Sequence, residues 1–407
     1  MVGWKQHLDR AALQADPIGE MERLYKTVNT AGERDPSVLE QARQELVRLQ
    51  NGDPENLALW REMIVLSQVQ FDTIYQRLGV RFDHTLGESF YNPSLKAVVQ
   101  ELVERGLARE SEGAIAVFFE DIPALNEHPA LIQKSDGAAN YTTTDLSTLA
   151  YRLDQWRPDE IVYVTDGRQQ LHFQQLFAIF RRWHPETRVQ LAHAWFGSIL
   201  GEDSKPFKTR AGETVKLADL LNEAQERAFR TVSDKNPELA EAQRSEIARV
   251  VSLGAVKYAD LLPNRQSDYV FSWDKMLALN GNTAPYLQYA YARIRSIFRR
   301  GGSDQTAATA QAAPLAFALT TPEEIALAKQ LLNFGLVLEA VAAEYRPNFL
   351  CNYLYDLASI FSRFFENCPV LKAEPRERAV RLTLCDLTGR VLQQGLALLG
   401  IETLEQM

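Results

Sequence analysis

Cysteine is scarce in this chain of 407 residues: Cys351, Cys368 and Cys385 fall near the C-terminus, with no histidine close by. That excludes a disulfide framework and offers no zinc-ligand spacing, so buried thiols on helices are expected instead. No apolar run approaches the roughly 18 residues of a membrane-spanning helix, and the start Met-Val-Gly-Trp-Lys-Gln-His lacks a charged-then-apolar leader. Cytoplasmic placement is the expectation. Neither G-x-G-x-x-G nor a G-K-[ST] phosphate loop occurs, which disfavours a generic dehydrogenase or kinase. Positive charge is in the minority: the net charge of -9 excludes a generally basic coat for nucleic acid, but not a local patch on an acidic body. No internal repeat is found.

What is present, 46% hydrophobic and 24% charged residues, is an ordinary globular composition long enough for two or three domains. Residues 1 to about 110 read as a helical layer. Asp35-Pro36 can cap and open a helix, Val38, Leu39, Ala42, Leu46 and Leu49 recur at helical spacing, and Asn51-Gly52 closes it. The pattern then changes to short continuous apolar runs: Ala114-Ile-Ala-Val-Phe-Phe119, Ile161-Val-Tyr-Val-Thr165 and Val189-Gln-Leu-Ala-His-Ala-Trp195. Helical segments, about Thr144 to Trp156 and Gln169 to Trp183, lie between them, so 114–197 is expected to form parallel strands, half of a doubly wound nucleotide-binding sheet. From Leu217 onward the chain reads as helical, with no further strand signal. Thr321-Pro-Glu-Glu324 is a capping box with proline at the first helical position, and the apolar face expected behind it runs through Ile325, Ala328, Leu331, Leu332, Leu336 and Val337.

In such sheets ligands gather at the carboxyl ends of strands, which here points to Asp166-Gly-Arg-Gln169 and to the residues from His193 through Arg210. Lys205-Pro-Phe-Lys-Thr-Arg-Ala-Gly-Glu-Thr-Val-Lys-Leu217 carries three lysines and an arginine in thirteen residues. Cations beside small residues suit a polyphosphate, and equally an ordinary basic surface loop.

Seven stretches then fall in one order: Gly87-Glu-Ser-Phe-Tyr-Asn-Pro93, Lys134-Ser-Asp-Gly137 with Tyr141-Thr-Thr-Thr-Asp145, Asp166-Gly-Arg-Gln-Gln-Leu-His172, His193-Ala-Trp-Phe-Gly197, the 205–217 segment, Gly254-Ala-Val-Lys-Tyr-Ala-Asp260, and Gly281-Asn-Thr-Ala-Pro-Tyr-Leu-Gln-Tyr-Ala-Tyr-Ala-Arg293. On these the chain resembles the bacterial class I arginyl-tRNA synthetases, over essentially its whole length. The resemblance implies an α/β catalytic part followed by an all-α part. Its expected divisions are a helical insertion over 1–113, the second half of a Rossmann-type domain over 114–230, a stem-contact connector over 231–280 and a helical anticodon-binding bundle over 281–407. It also implies ATP with substrate-associated magnesium, L-arginine and tRNA(Arg) as ligands, no membrane or DNA partner, and a monomer.

A guanidinium with five donors calls for a carboxylate and amide or phenol acceptors, which Tyr141, Asp145 and Gln169 supply. Tyr141 and Asp145, four apart, share a helix face. The resemblance makes these three the arginine-binding residues; the plain alternatives are a capping carboxylate and a polar cap. His193, Phe196 and Gly197 align with the segment that receives adenine, His193 being otherwise a core histidine. Lys208 and Arg210 fall at the degenerate KMSKS position as phosphate contacts, and His172 either orients the site or packs. Tyr286, Tyr289, Tyr291 and Arg293 are the candidates for stacking unpaired tRNA bases, only part of the group being free to do so if one helix face is buried. One departure stands out. The His-x-Gly-His tetrapeptide of class I enzymes is nowhere in the 407 residues. The expectation is therefore a chain lacking the N-terminal domain and the half-sheet bearing that motif, with a shortened tRNA- or arginine-binding paralogue, or one half of a split enzyme completed in trans, as the alternatives.

Overall fold

The computed structural model describes residues 1–201, 205, 215–301 and 318–407. They form two compact units, Met1–Thr85 and Leu86–Met407.

The first unit is five helices: α1 (Val2–His7), α2 (Arg10–Ala15), α3 (Pro17–Arg34), α4 (Pro36–Gln50) and α5 (Pro54–Leu78). Aspartates write its punctuation. Asp9, Asp16, Asp35 and Asp53 accept hydrogen bonds from first-turn amides, and prolines follow at the first position of α3, α4 and α5, where a missing N–H leaves nothing unsatisfied. Gly79, with φ of 66°, ends α5 in the left-handed conformation. Trp4, Leu13 and Leu24 form the small core. Beside it the fully buried Asn56 donates to the Glu45 carbonyl at 3.0 Å and to its carboxylate at 2.7 Å, while Lys5 holds the same carboxylate at 2.8 Å. The expected helix opens at Asp35-Pro36 and closes at Asn51.

The second unit begins with a 3-10 helix (Glu88–Ser94), α6 (Leu95–Glu104) and three strands, β1 (Arg109–Ser111), β2 (Ala114–Val117) and β3 (Ala130–Gln133). These make an antiparallel sheet in the order β1-β2-β3. The expectation that the run from Ala114 belongs to a parallel sheet is corrected here. A run buried on both faces looks the same in either kind of sheet, and the three residues of β1, linked to β2 through Glu112 and Gly113 with φ of 52° and 76°, decide for a hairpin. Next come α7 (Tyr141–Trp156), β4 (Glu160–Tyr163), α8 (Gln170–Trp183) and β5 (Gln190–His193). β4 and β5 are parallel, Tyr163 opposite His193, as strand, helix, strand requires. The core of this part packs Phe119, Ile132, Leu146, Leu176, Ile179 and Phe180 between sheets and helices.

β6 (Ile199–Leu200) precedes two long helices, α9 (Leu217–Lys235) and α10 (Glu241–Leu261), which pack together. A strand does return: β7 (Tyr269–Val270) pairs parallel with β6. Two residues are too few to leave a periodicity. After α11 (Trp273–Met276) the chain is helical: α12 (Ala284–Gly301), α13 (Pro322–Leu332), α14 (Phe334–Glu344), α15 (Pro347–Asn367) and α16 (Pro375–Leu398). The largest core fills this part, with Leu287, Ile294, Leu354, Leu357, Phe361 and Phe364 almost inaccessible. All three cysteines are buried and free.

The capping box forms as expected, Thr321 and Glu324 exchanging bonds at the start of α13. Glu324 does more: burial disfavours its charge, yet Arg381 at 2.8 Å and the amides of Thr320 and Thr321 hold its carboxyl below the usual range. The apolar face expected behind it is not one stripe. Ala328, Leu331 and Val337 pack on the core, whereas Ile325, Leu332 and Leu336, spaced seven and four apart on another face, are exposed. By length and composition Pro322–Glu344 is apolar enough to cross a bilayer, which a search for unbroken apolar runs passes over. Its two helices both pack against α15, and Glu324 is paired with Arg381.

Candidate active site

The start of α7 is stitched to β3. Asn140 caps the helix by accepting from the Tyr141 amide at 2.9 Å and donates to the Leu131 carbonyl at 3.1 Å, while the buried Thr143 hydroxyl donates to Ile132 at 2.5 Å. The turn Lys134-Ser-Asp-Gly137, closed by Gly137 at φ of 83°, carries the chain back for this contact. The helix therefore starts at Tyr141, earlier than the expected Thr144, and Asp145 sits in its second turn, where a side chain cannot cap.

Asp145 instead meets α8. Its Oδ2 lies 2.6 Å from Nε2 of His172, whose ring stands edge-on to Tyr141 at 4.8 Å between centroids. Tyr141 is exposed, Asp145 one-third exposed and His172 largely buried. A carboxylate has two oxygens, and the histidine faces one of them. The Nδ1 atom of His172 has no hydrogen-bond partner in its buried position. Gln169 ends the 3-10 turn Gly167–Gln169 before α8, and its exposed side chain makes no capping bond. Asp166 caps that turn instead, and the Arg168 guanidinium at 2.8 Å holds its carboxyl below the ordinary value.

The adenine candidates lie at the end of β5. Nε2 of His193 is 2.8 Å from the Thr165 hydroxyl, and burial pushes its pKa down, helped by Arg265 and His172 nearby. Phe196 is exposed, its amide donating to the Thr165 carbonyl at 3.1 Å and its carbonyl accepting from Gly167 at 3.0 Å. Gly197 is packed too closely for a side chain: a Cβ there would lie 2.7 Å from the carbonyl carbon and oxygen of Ser267. Two residues absent from the sequence reading connect the halves. Phe173, buried, has its ring 5.1 Å from that of His172 and 4.3 Å from that of His193. Arg265 binds the Trp195 carbonyl through its guanidinium and accepts from the Gly197 amide at 2.8 Å. Nothing in the turn-like composition around Arg265 signals this. Tyr141, Asp145, Gln169, His172, His193, Phe196 and Gly197 thus gather about the carboxyl ends of β4 and β5, while Lys208 and Arg210 lie outside the described residues. Among the described residues no three His, Cys, Asp or Glu side chains cluster to hold a metal.

The other candidates sit on α12. Tyr291 is buried and donates to Glu405 at 3.1 Å; Tyr286 packs against the core beside Tyr355. Tyr289 is exposed, and Arg293 lies 4.5 Å above the Phe365 ring. These last two line a cavity of ≈ 620 Å³ with Arg299, Arg300, Lys372 and Met407.

A family model described as "tRNA synthetases class I (R), catalytic domain" matches residues 1–273, and one described as "DALR anticodon binding domain" matches 287–407. The arginine–tRNA ligase of Chromobacterium violaceum is 45% identical over 408 residues, covering 99% of this chain and 69% of that protein. That of Synechococcus elongatus is 48% identical over 401 residues, covering 96% and 67%. Among solved structures, the Thermus thermophilus arginyl-tRNA synthetase superposes with a TM-score of 0.81 at 26% identity, over 95% of this chain and 69% of that one. The Plasmodium falciparum arginyl-tRNA synthetase gives 0.79 at 30% identity, over 91% of this chain and 62% of that one.

Proposed function

The chain belongs to the class I arginyl-tRNA synthetases, and from that premise we propose that it activates L-arginine with ATP and passes it to the 3′ end of tRNA(Arg). The observation that carries the reading is the Tyr141–Asp145–His172 group, joined through Phe173 to His193 and the end of β5. Acceptors for a guanidinium beside a strand end suited to a flat base support the reading.

The free oxygen of Asp145, the Tyr141 hydroxyl and the Gln169 amide take the arginine side chain, with His172 fixing the rotamer of the carboxylate. Phe196 and Gly197 take adenine, and His193, kept neutral, anchors the strand end on Thr165. In the first step an arginine carboxylate oxygen attacks the α-phosphorus and the bond to pyrophosphate breaks; in the second, a ribose hydroxyl of the terminal adenosine attacks the carbonyl carbon and AMP leaves. Both need positioning and charge stabilisation more than proton transfer. Magnesium, where bound, travels with the nucleotide phosphates and shares their charge with Lys208 and Arg210. Tyr289 and Arg293 offer a stacking face and a cation for unpaired anticodon bases, and Tyr291 supports the helix from within. The ligands imply a cytoplasmic setting.

The chain spans about two thirds of the length of the curated relatives it matches. Ligation and binding are accordingly tested apart: charging of tRNA(Arg) with labelled arginine, ATP and magnesium, against an Asp145→Ala control, alongside calorimetry with arginine and with tRNA. Charging lost in the control is the expected result. Binding of both ligands without charging would replace ligation by a binding role, and binding of neither would end the reading.

A further inference from the structure

Arg265 lies between α10 and β7, within the stretch matched by the catalytic family, yet its guanidinium is divided between two domains. One face serves the nucleotide segment: Nη1 donates to Trp195, two residues beyond His193, and the backbone carbonyl of Arg265 accepts from Gly197 at 2.8 Å. The other face serves the end of α14, in the stretch matched by the anticodon-binding family. There Nε donates to the Tyr345 carbonyl at 2.8 Å and Nη2 to that of Glu344 at 3.4 Å. These carbonyls have no partner within their own helix, since Tyr345 turns left-handed at φ of 52°, and a helix C-terminus carries partial negative charge. A cation there is favourable. The junction has two further ties: the Tyr345 hydroxyl donates to Glu160, the first residue of β4, and Arg346 reaches Gln266 at 3.4 Å.

The geometry matters because a guanidinium is rigid. Its donors point in fixed directions within one plane, so three carbonyls from two domains are satisfied together only in one relative placement. A shift of about 1 Å at either side takes a bond beyond hydrogen-bonding distance. Burial among these groups, with Arg346 nearby, makes Arg265 less comfortable as a cation than one in water, so a lost carbonyl is not replaced at no cost.

We infer that Arg265 is the positioning residue through which tRNA on the helical domain 287–407 sets the placement of the nucleotide segment His193–Gly197. The inference rests on the reading of those two sites given above. Coupling of this kind is a free energy shared by both ligands and is measured from either side.

The test is calorimetric titration of the full chain with adenylyl imidodiphosphate, alone and with tRNA(Arg) bound, in the wild type and in Arg265→Lys. Lysine keeps the charge but cannot span the three carbonyls. In the wild type tRNA should change nucleotide affinity by about 5- to 150-fold. In the variant the coupling factor, a ratio of affinities with and without the other ligand, should fall towards one whatever the affinity of each ligand alone. Coupling that persists in Arg265→Lys, or its absence from a wild type that binds both ligands, overturns the inference. A wild type that binds neither overturns the functional reading and this inference with it. Should the variant not fold, hydrogen exchange on the wild type decides: bound tRNA must alter exchange at the Phe196 and Gly197 amides, and unchanged exchange refutes the link.

Discussion

Nε2 of His172 lies 2.6 Å from Oδ2 of Asp145, a contact between two helices across 27 residues of sequence. It fixes the carboxylate before any ligand arrives, which lowers the ordering cost of binding. Asp145→Asn keeps the shape and removes the charge. The loss in arginine affinity should be roughly 3 kcal/mol, a hundredfold or more. Citrulline, which lacks the guanidinium charge, should be little affected. Equal losses for both ligands in calorimetry would mean that Asp145 does not read that charge.

Tyr289 and Tyr291 are two residues apart, one exposed and one buried. Tyr289→Ala should weaken tRNA(Arg) binding by about 1–3 kcal/mol, the range for one stacked base. Tyr291→Phe, which removes only the hydroxyl bonded to Glu405, should leave affinity within experimental scatter. Filter binding at fixed salt checks both. A reversed order would place the RNA on another face of α12.

Glu324 and Arg381 form an ion pair with side chains 1% and 8% exposed. Removing one partner strands the other, so Arg381→Met should destabilise the helical part by about 3–5 kcal/mol in urea unfolding. The carboxyl is held below its ordinary value in the fold. Its contribution is thus present above about pH 4.3 and lost as pH falls through the folded pKa. A variant as stable as wild type at neutral pH would contradict this.

His193 works in the opposite charge sense. Burial, with Arg265 and His172 nearby, favours its neutral form, so on acidification the unfolded chain takes up the proton first. Stability is full above the ordinary histidine value of about 6.5 and declines as pH falls from there through the folded pKa. Relative to His193→Asn, the wild type should lose stability as pH falls below about 6.5. Parallel pH profiles for the two proteins would remove His193 as the cause.

Much of this was legible beforehand, for identifiable reasons. The runs ending at Thr165 and Trp195 gave β4, α8 and β5 because a buried parallel pair leaves continuous apolar strands. Thr321 and Glu324 announced α13 because capping is local chemistry. The run at Ala114 misled because pairing direction leaves no mark on an apolar segment, and β7 escaped because two residues have no period. Tyr141 and Asp145 were visible as a pair at helical spacing. Their link to His172, and the role of Phe173 between the two halves, depend on how α7 lies against α8, which spacing does not encode. Arg265 was hidden for the same reason: its partners are backbone carbonyls, and every residue has one.

The pairing of β6 with β7 has a consequence for how the molecule is made. Ser198 waits for Asp268, 70 positions downstream, to accept from its amide at 2.6 Å, and Ile199 and Leu200 wait for Tyr269 and Val270. During synthesis, when domains form from the N-terminus at about 5–20 residues per second, β4 and β5 can pair early, whereas the strand that continues from Gly197 has no partner for several seconds more. The stretch matched by the catalytic family is therefore assembled with the edge at β6 open, and that edge closes only after α9 and α10 have been made.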